Sequence, residues 1–161
     1  MLVNKLILWF ILIAPWLTLF FLKKEVVKRF MPVSLLASFI MLVYNLVAEN
    51  QNHWIINVSI IPSLEPAFVS GVFGAFPVIT LWIFRFTFGH FWRYAVTNII
   101  ADFMFAFFPI HYVLQDVLGI YNLINITPFG RFILFITFAM ILYGFQVWLE
   151  KGDDPLPRKI Q

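Results

Sequence analysis

Apolar residues run through this chain in long unbroken stretches, not in the alternating pattern of strands or the short stripes of water-facing helices. Five stretches lie near 2–22, 30–48, 67–84, 94–114 and 129–149. Each approaches or exceeds the roughly 18–20 residues that a helix needs to cross about 30 Å of hydrocarbon. In lipid the backbone must satisfy its own hydrogen bonds, so continuous apolar runs of this length predict helices. A transmembrane barrel would need polar and apolar positions to alternate, and here they do not. The expected fold is an all-α integral membrane protein, a bundle of about five transmembrane helices over residues 1–149. Beyond it, 150–161 holds Gly152, Asp153, Asp154, Pro155 and Pro157. That stretch cannot continue a helix and predicts a flexible cytoplasmic tail.

Charge then orients the bundle. Lys23, Lys24, Lys28 and Arg29 follow the first run, Arg85 and Arg93 flank the turn after the third, and Lys151, Arg158 and Lys159 close the chain. The intervening segments 49–66 and 115–129 carry no Lys or Arg. Nine of the eleven basic residues therefore fall on one side, leaving Lys5 and Arg131 on the other. Basic loops stay cytoplasmic, so the N-terminus is expected outside and the C-terminus inside. Lys23, Lys24, Lys28, Arg29, Arg85 and Arg93 are expected at lipid headgroups, and aromatic rings interleave with base between Phe84 and Tyr94, as in an interfacial belt. The first run is too long for a signal-peptide core and no small-x-small cleavage site follows it, so it is expected to be retained.

Composition confirms the class and removes several chemistries. The chain has 161 residues, 62% hydrophobic and 12% charged, where soluble domains average about 45–50% and about 25%. One small core cannot bury that excess, so the lipid bilayer is the expected partner. The net charge of +3 sits beside apolar runs, which points to anionic headgroups and away from nucleic acid. There is no cysteine, which excludes disulfides, thiolate nucleophiles and zinc–cysteine sites. His53, His90 and His111 lack the spacing of a metal motif, and neither a nucleophile elbow nor a phosphate loop occurs. No enzyme, metal or cofactor is expected.

Two patterns remain as candidate sites. Ala67, Gly71 and Ala75 recur every four residues, with Ser70 and Gly74 one position behind; small residues so spaced let helix backbones approach closely, within the bundle or in a homo-oligomer. Ser34, Ser38, Asn45 and Glu49 share one helical face, and Tyr94, Asn98 and Asp102 share another. Two polar stripes are expected to face each other or a water-filled cavity. Asp102 lies roughly 12 Å along its helix from Tyr94. A carboxylate at that depth costs about 2.5–3.5 kcal/mol, so Asp102 is expected to be neutral and to bridge helices as a hydrogen-bond donor, or else to bind a proton or cation.

Met31-Pro32-Val33-Ser34-Leu35 and the stretch from Phe68 to Phe108, with Leu81-Trp82-Ile83-Phe84-Arg85-Phe86-Thr87-Phe88, Phe91-Trp92 and Thr97-Asn98-Ile99-Ile100-Ala101-Asp102, resemble a group of small, uncharacterised multi-pass membrane proteins of endospore-forming Bacilli. The resemblance is one of apolar and aromatic texture over about half the chain. It implies a bacterial plasma membrane and carries no activity with it. The expected function is a non-enzymatic structural or accessory membrane component, working with lipid and with another membrane protein or a second copy. The rival is a small transporter or ion-conducting oligomer that uses Asp102.

Overall fold

The computed structural model describes residues 2–151, so most of the predicted tail lies outside the described residues. The architecture is all-α apart from one short ribbon. Helix α1 (Leu2–Leu17) runs into a 3-10 turn (Thr18–Phe21), and α2 spans Lys24–Asn50. A strand β1 (Trp54–Ile56) and a 3-10 segment (Pro62–Ala67) lead to a π-turn (Gly71–Ala75) that opens α3 (Phe76–Thr87). Then come α4 (Phe91–Ala106), a short α5 (Ile110–Tyr112) with a second π-turn (Val113–Val117), strand β2 (Tyr121–Leu123) and α6 (Pro128–Lys151). Four helical segments, Leu2–Phe21, Lys24–Asn50, Phe91–Val117 and Pro128–Lys151, are long and apolar enough to cross a membrane, and Gly71–Thr87 is a shorter apolar one.

The elements depart from the predicted runs where local chemistry intervenes. Lys24, Lys28 and Arg29 belong to the first turns of α2, because nothing before Pro32 interrupts helical geometry there. Ala67 falls in the 3-10 segment, since Phe68 adopts a left-handed conformation (φ 45°) and the continuous helix begins at residue 69. Between α3 and α4 the chain reverses through Gly89 at φ 87°, a backbone angle that glycine adopts without steric cost. Arg85 and Arg93 therefore sit on helices, not in a loop. The two segments without basic residues meet in a ribbon, β1 against β2 in antiparallel register, with Ile55 opposite Asn122.

The core is layered along the bundle. Phe30, Val33, Leu81, Phe84, Tyr94 and Leu142 fill the end near the basic residues, and Arg29 there pairs with Glu150 through two contacts of 2.6 Å that tie α2 to α6. Met41, Tyr44, Val72 and Phe135 fill the middle, and Leu8, Ile56, Leu114 and Ile120 lie beneath the ribbon. The periphery stays apolar: Phe10, Phe20, Phe39, Phe86 and Trp148 all point outward.

The opening of α3 decides how α1 and α2 attach to it. Pro77 has no N–H, so it offers no donor to Phe73 O, four residues before it, nor in π geometry to Val72 O, five before it. Both find side chains from neighbouring helices. Ser38 Oγ of α2 donates to Val72 O at 2.8 Å, and Trp16 Nε1 of α1 donates to Phe73 O at 2.7 Å. Trp82 Nε1 also donates to Thr18 Oγ at 2.9 Å. Gly74 permits the approach, because a Cβ there would run into Ile11 O and come within 2.5 Å of Leu12 Cα of α1.

Gly71 differs. Its added Cβ would meet the Phe68 ring at 2.5 Å, a side chain that can move. Val72 and Val78 are themselves buried, so enlarging them also overpacks the core. The informative contrast is Gly74→Leu against Ile79→Leu, the latter at an exposed position. In a thermal melt of the purified protein, Gly74→Leu should lower the midpoint strongly while Ile79→Leu leaves it nearly unchanged. Equal midpoints would remove Gly74 from the α1 interface.

Candidate functional site

Two polar centres stand in the bundle, and the sequence analysis singled out one of them. The predicted polar faces of α2 and α4 do not meet. These helices are packed through α3 and α6 and lie across from one another. Most of their polar side chains turn back on their own helix: Ser34 Oγ donates to Phe30 O, Asn45 Nδ2 to Met41 O and Asn98 Nδ2 to Tyr94 O. Only Ser38, described above, and Tyr94, whose hydroxyl donates to Ala139 O of α6 at 2.7 Å, link helices. Of the small-residue set, Ala67, Ser70, Gly71 and Gly74 are buried and Ala75 is half-buried, and of the two glycines Gly74 makes the close approach between helices.

Asn98 and Asp102 instead face a cavity of about 260 Å³ between α2, α3, α4 and α6. The bridging hydrogen bond expected of Asp102 is not formed. Its Oδ2 is buried without a partner, and no cationic side chain lines the space. Small side chains create the room: Ala37, Ala101 and Ala139 lie where larger residues would close the gap. Thr80 adds a hydroxyl from α3, while Ile79 and Met104 line the same space and are themselves exposed, so the cavity reaches the outer surface between α3 and α4.

The second centre is built around Arg131, which is 2% exposed although it carries a full charge. Helix α4 ends at Ala106, and its last carbonyls have no helical donor. Arg131 Nη2 donates to Phe105 O at 2.8 Å and to Ala106 O at 3.2 Å, so a cation from α6 caps the negative end of α4. Nη1 donates to Tyr121 Oη at 2.8 Å, and Nη2 also lies 3.0 Å from His111 Nδ1. A guanidinium only donates, so His111 Nδ1 accepts and the ring proton sits on Nε2. Tyr121 Oη, 2.8 Å from the same Nδ1, donates to it. Burial pushes the Tyr121 hydroxyl up, against the opposing pull of Arg131, which keeps it a phenol able to donate and accept. The guanidinium also lies over the rings of Phe105 and Tyr121, 5.4 and 5.3 Å from their centroids. Among the described residues no carboxylate touches it; its partners are neutral acceptors, and Nε is buried without one.

A small cavity of about 30 Å³ touches Arg131, Tyr121 and Asn45, room for about one water. Met41, Phe76, Phe105 and Phe135 line both this space and the larger one beside Asp102. The two polar centres are thus separated by an apolar, mostly aromatic septum, in which Phe76, Phe105 and Phe135 meet at centroid distances of 5.3 to 6.3 Å.

The basic residues expected at headgroups divide in two. All six are exposed, Lys23, Lys24, Lys28, Arg85 and Arg93 along with Arg29, but Arg29 is also engaged by Glu150 and by the rings of Phe30 and Phe88. Among the described residues, no three His, Asp or Glu side chains gather as a metal site would require. The arrangement defines a helical protein with four segments suited to crossing a membrane, one acidic cavity and one buried, capped cation. No family model, curated protein or solved structure matches the chain.

Removing Arg131 leaves two carbonyls and the Tyr121 phenol without their donor and takes one of two donors from His111. Arg131→Met should therefore destabilise the fold by about 3 kcal/mol or more, and Tyr121→Phe by about 1–2 kcal/mol. Unfolding titrations of the detergent-solubilised protein would measure both. A stable Arg131→Met variant would mean that α4 finds another cap.

Proposed function

We propose that this chain is a five-span protein of the cell membrane, N-terminus outside and C-terminus in the cytoplasm, that acts as a non-enzymatic structural or accessory component. The observation that carries the reading is where the polar side chains are spent. Ser38, Trp16, Tyr94 and Arg131 each bind a backbone carbonyl of another helix, so they lock a bundle whose outward surface remains apolar. Helix α1 has a single fully buried residue, Leu8, and its outer face, with Leu2, Leu6, Phe10, Ile13 and Leu17 exposed, is free for lipid or a neighbouring membrane chain.

Five spans are supported by the continuous helix from 69 to 87, about 28 Å long at 1.5 Å per residue. They are also supported by the grouping of chain ends. Asn4 Nδ2 donates to Leu118 O beside the ribbon, while Arg29 and Glu150 meet at the opposite end. The basic residues favour the cytoplasm for that opposite end. The resemblance over 31–35 and 68–108 favours a bacterial plasma membrane.

A second reading, a small transporter or ion-conducting oligomer, is favoured by the Asp102 cavity and the Arg131 centre lying on either side of one apolar septum. The chain has no native cysteine, so introduced cysteines report without background. Gln51→Cys and Asn122→Cys should react with an impermeant thiol reagent added to intact cells, and Lys24→Cys and Gly89→Cys should not. The reverse pattern would invert the topology, and a mixed pattern would change the span count. Stoichiometric recovery of a second membrane protein after mild solubilisation would support the accessory role. Flux into proteoliposomes that is lost in Asp102→Asn would replace it with transport.

A further inference from the structure

The cavity beside Asp102 has the attributes of a ligand site. Its volume of about 260 Å³ exceeds the roughly 150 Å³ at which an apolar protein cavity already takes up benzene. Its walls are mostly aliphatic and aromatic, and each of its polar side chains, Asp102, Asn98 and Thr80, has an oxygen that can accept. Asp102 brings a carboxylate whose Oδ2 is buried and unpartnered. Asn98 spends one N–H of Nδ2 on Tyr94 O, which leaves its carbonyl oxygen and one N–H. Thr80 contributes a hydroxyl from the facing helix. Three acceptors in one apolar space, with no cation of the chain among them, match the three N–H donors of an ammonium group.

Access fits the same ligand. At one end α3 and α4 are closed by the contact of Phe84 with Tyr94, ring centroids 4.9 Å apart, and at the other the Phe76, Phe105 and Phe135 septum seals the space. The exposed Ile79 and Met104 leave the opening sideways, between α3 and α4, on the apolar flank of the bundle. A ligand entering there comes from the hydrocarbon of the bilayer.

We propose that this cavity binds a small membrane-partitioning primary amine, its apolar body among the aliphatic and aromatic walls and its ammonium on Asp102. The inference rests on the chain being embedded in lipid. It requires neither five spans nor transport, so its failure and the failure of the topology are separate results.

The test is equilibrium binding of 4-fluorophenethylamine to the full chain in phosphatidylcholine nanodiscs, followed by fluorine NMR, with 2-(4-fluorophenyl)ethanol as the uncharged counterpart. Zwitterionic lipid keeps the amine from gathering on the bilayer surface. Wild-type protein should bind the amine saturably, and unlabelled phenethylamine should displace it. Asp102→Asn should weaken the amine at least about tenfold, as expected for loss of a charge-assisted hydrogen bond, and leave the alcohol nearly unchanged. Ala101→Phe, which fills the cavity from α4, should abolish both. Equal amine affinity in wild type and Asp102→Asn would overturn the proposal. So would undiminished binding in a folded Ala101→Phe variant, or the absence of saturable binding by wild type. Should Asp102→Asn fail to fold, the decision falls to wild-type competition, in which the alcohol must be at least about tenfold weaker than the amine as a displacer.

Discussion

A carbonyl released from its helix in an apolar surrounding has no water to accept from, and this chain releases several. Val72 O and Phe73 O stand where the π-turn runs into Pro77, the end of α4 frees two more, and the turn before β2 presents Leu118 O and Gly119 O. Each is answered by a side chain from a distant part of the sequence: Ser38 and Trp16, Arg131, Asn4 and Asn57. The requirement that buried backbone groups be paired therefore does more than shape individual helices. It selects which helices touch and at what height, because apolar side chains pack in many registers but a donor meets its carbonyl in only one.

Arg131 is the costliest of these answers and the most connected. A cation is tolerated there because the C-terminal carbonyls of α4, a phenol and an imidazole surround it, and because two aromatic faces lie against it. One side chain thereby joins α4, the segment after it, the ribbon and α6. The Asp102 carboxylate lies beyond the septum with no comparable shell. The bundle gives both Nη atoms of its buried base acceptors, with Nε alone unpartnered, and leaves its buried acid open.

The helical class and the approximate positions of the apolar segments were legible because lipid imposes a single pattern, a long apolar run, that needs no knowledge of tertiary contacts. The interruptions were harder. Pro77 and Pro109 stand inside runs that hydropathy alone joins smoothly, and the ribbon of Trp54–Ile56 with Tyr121–Leu123 depends on two segments far apart in sequence. Asp102 was found because a carboxylate within an apolar run is conspicuous. Arg131 carried a comparable signal, a base on the side that otherwise has almost none, but charge counting treats such a residue as an exception to be outvoted. Its partners, His111 and Tyr121, gave no signal of their own, since a histidine and a tyrosine near a helix end are ordinary at an interface. The polar stripes were real as helical faces. Which way each hydroxyl or amide turned depended on the nearest unpaired carbonyl, and periodicity does not contain that information.

The position of α3 has a consequence for the order in which the chain is assembled. Helix α1 packs on the π-turn and α3, and it bonds to Phe73 O and Leu118 O. Helices α1 and α2, adjacent in sequence, are thus not each other's principal partners. α1 waits, with Trp16 unpaired, until the segment around Phe73 emerges, and Asn4 waits until Leu118 does. Assembly of this bundle must therefore leave α1 without its bonds to Phe73 O and Leu118 O until those later segments have been made.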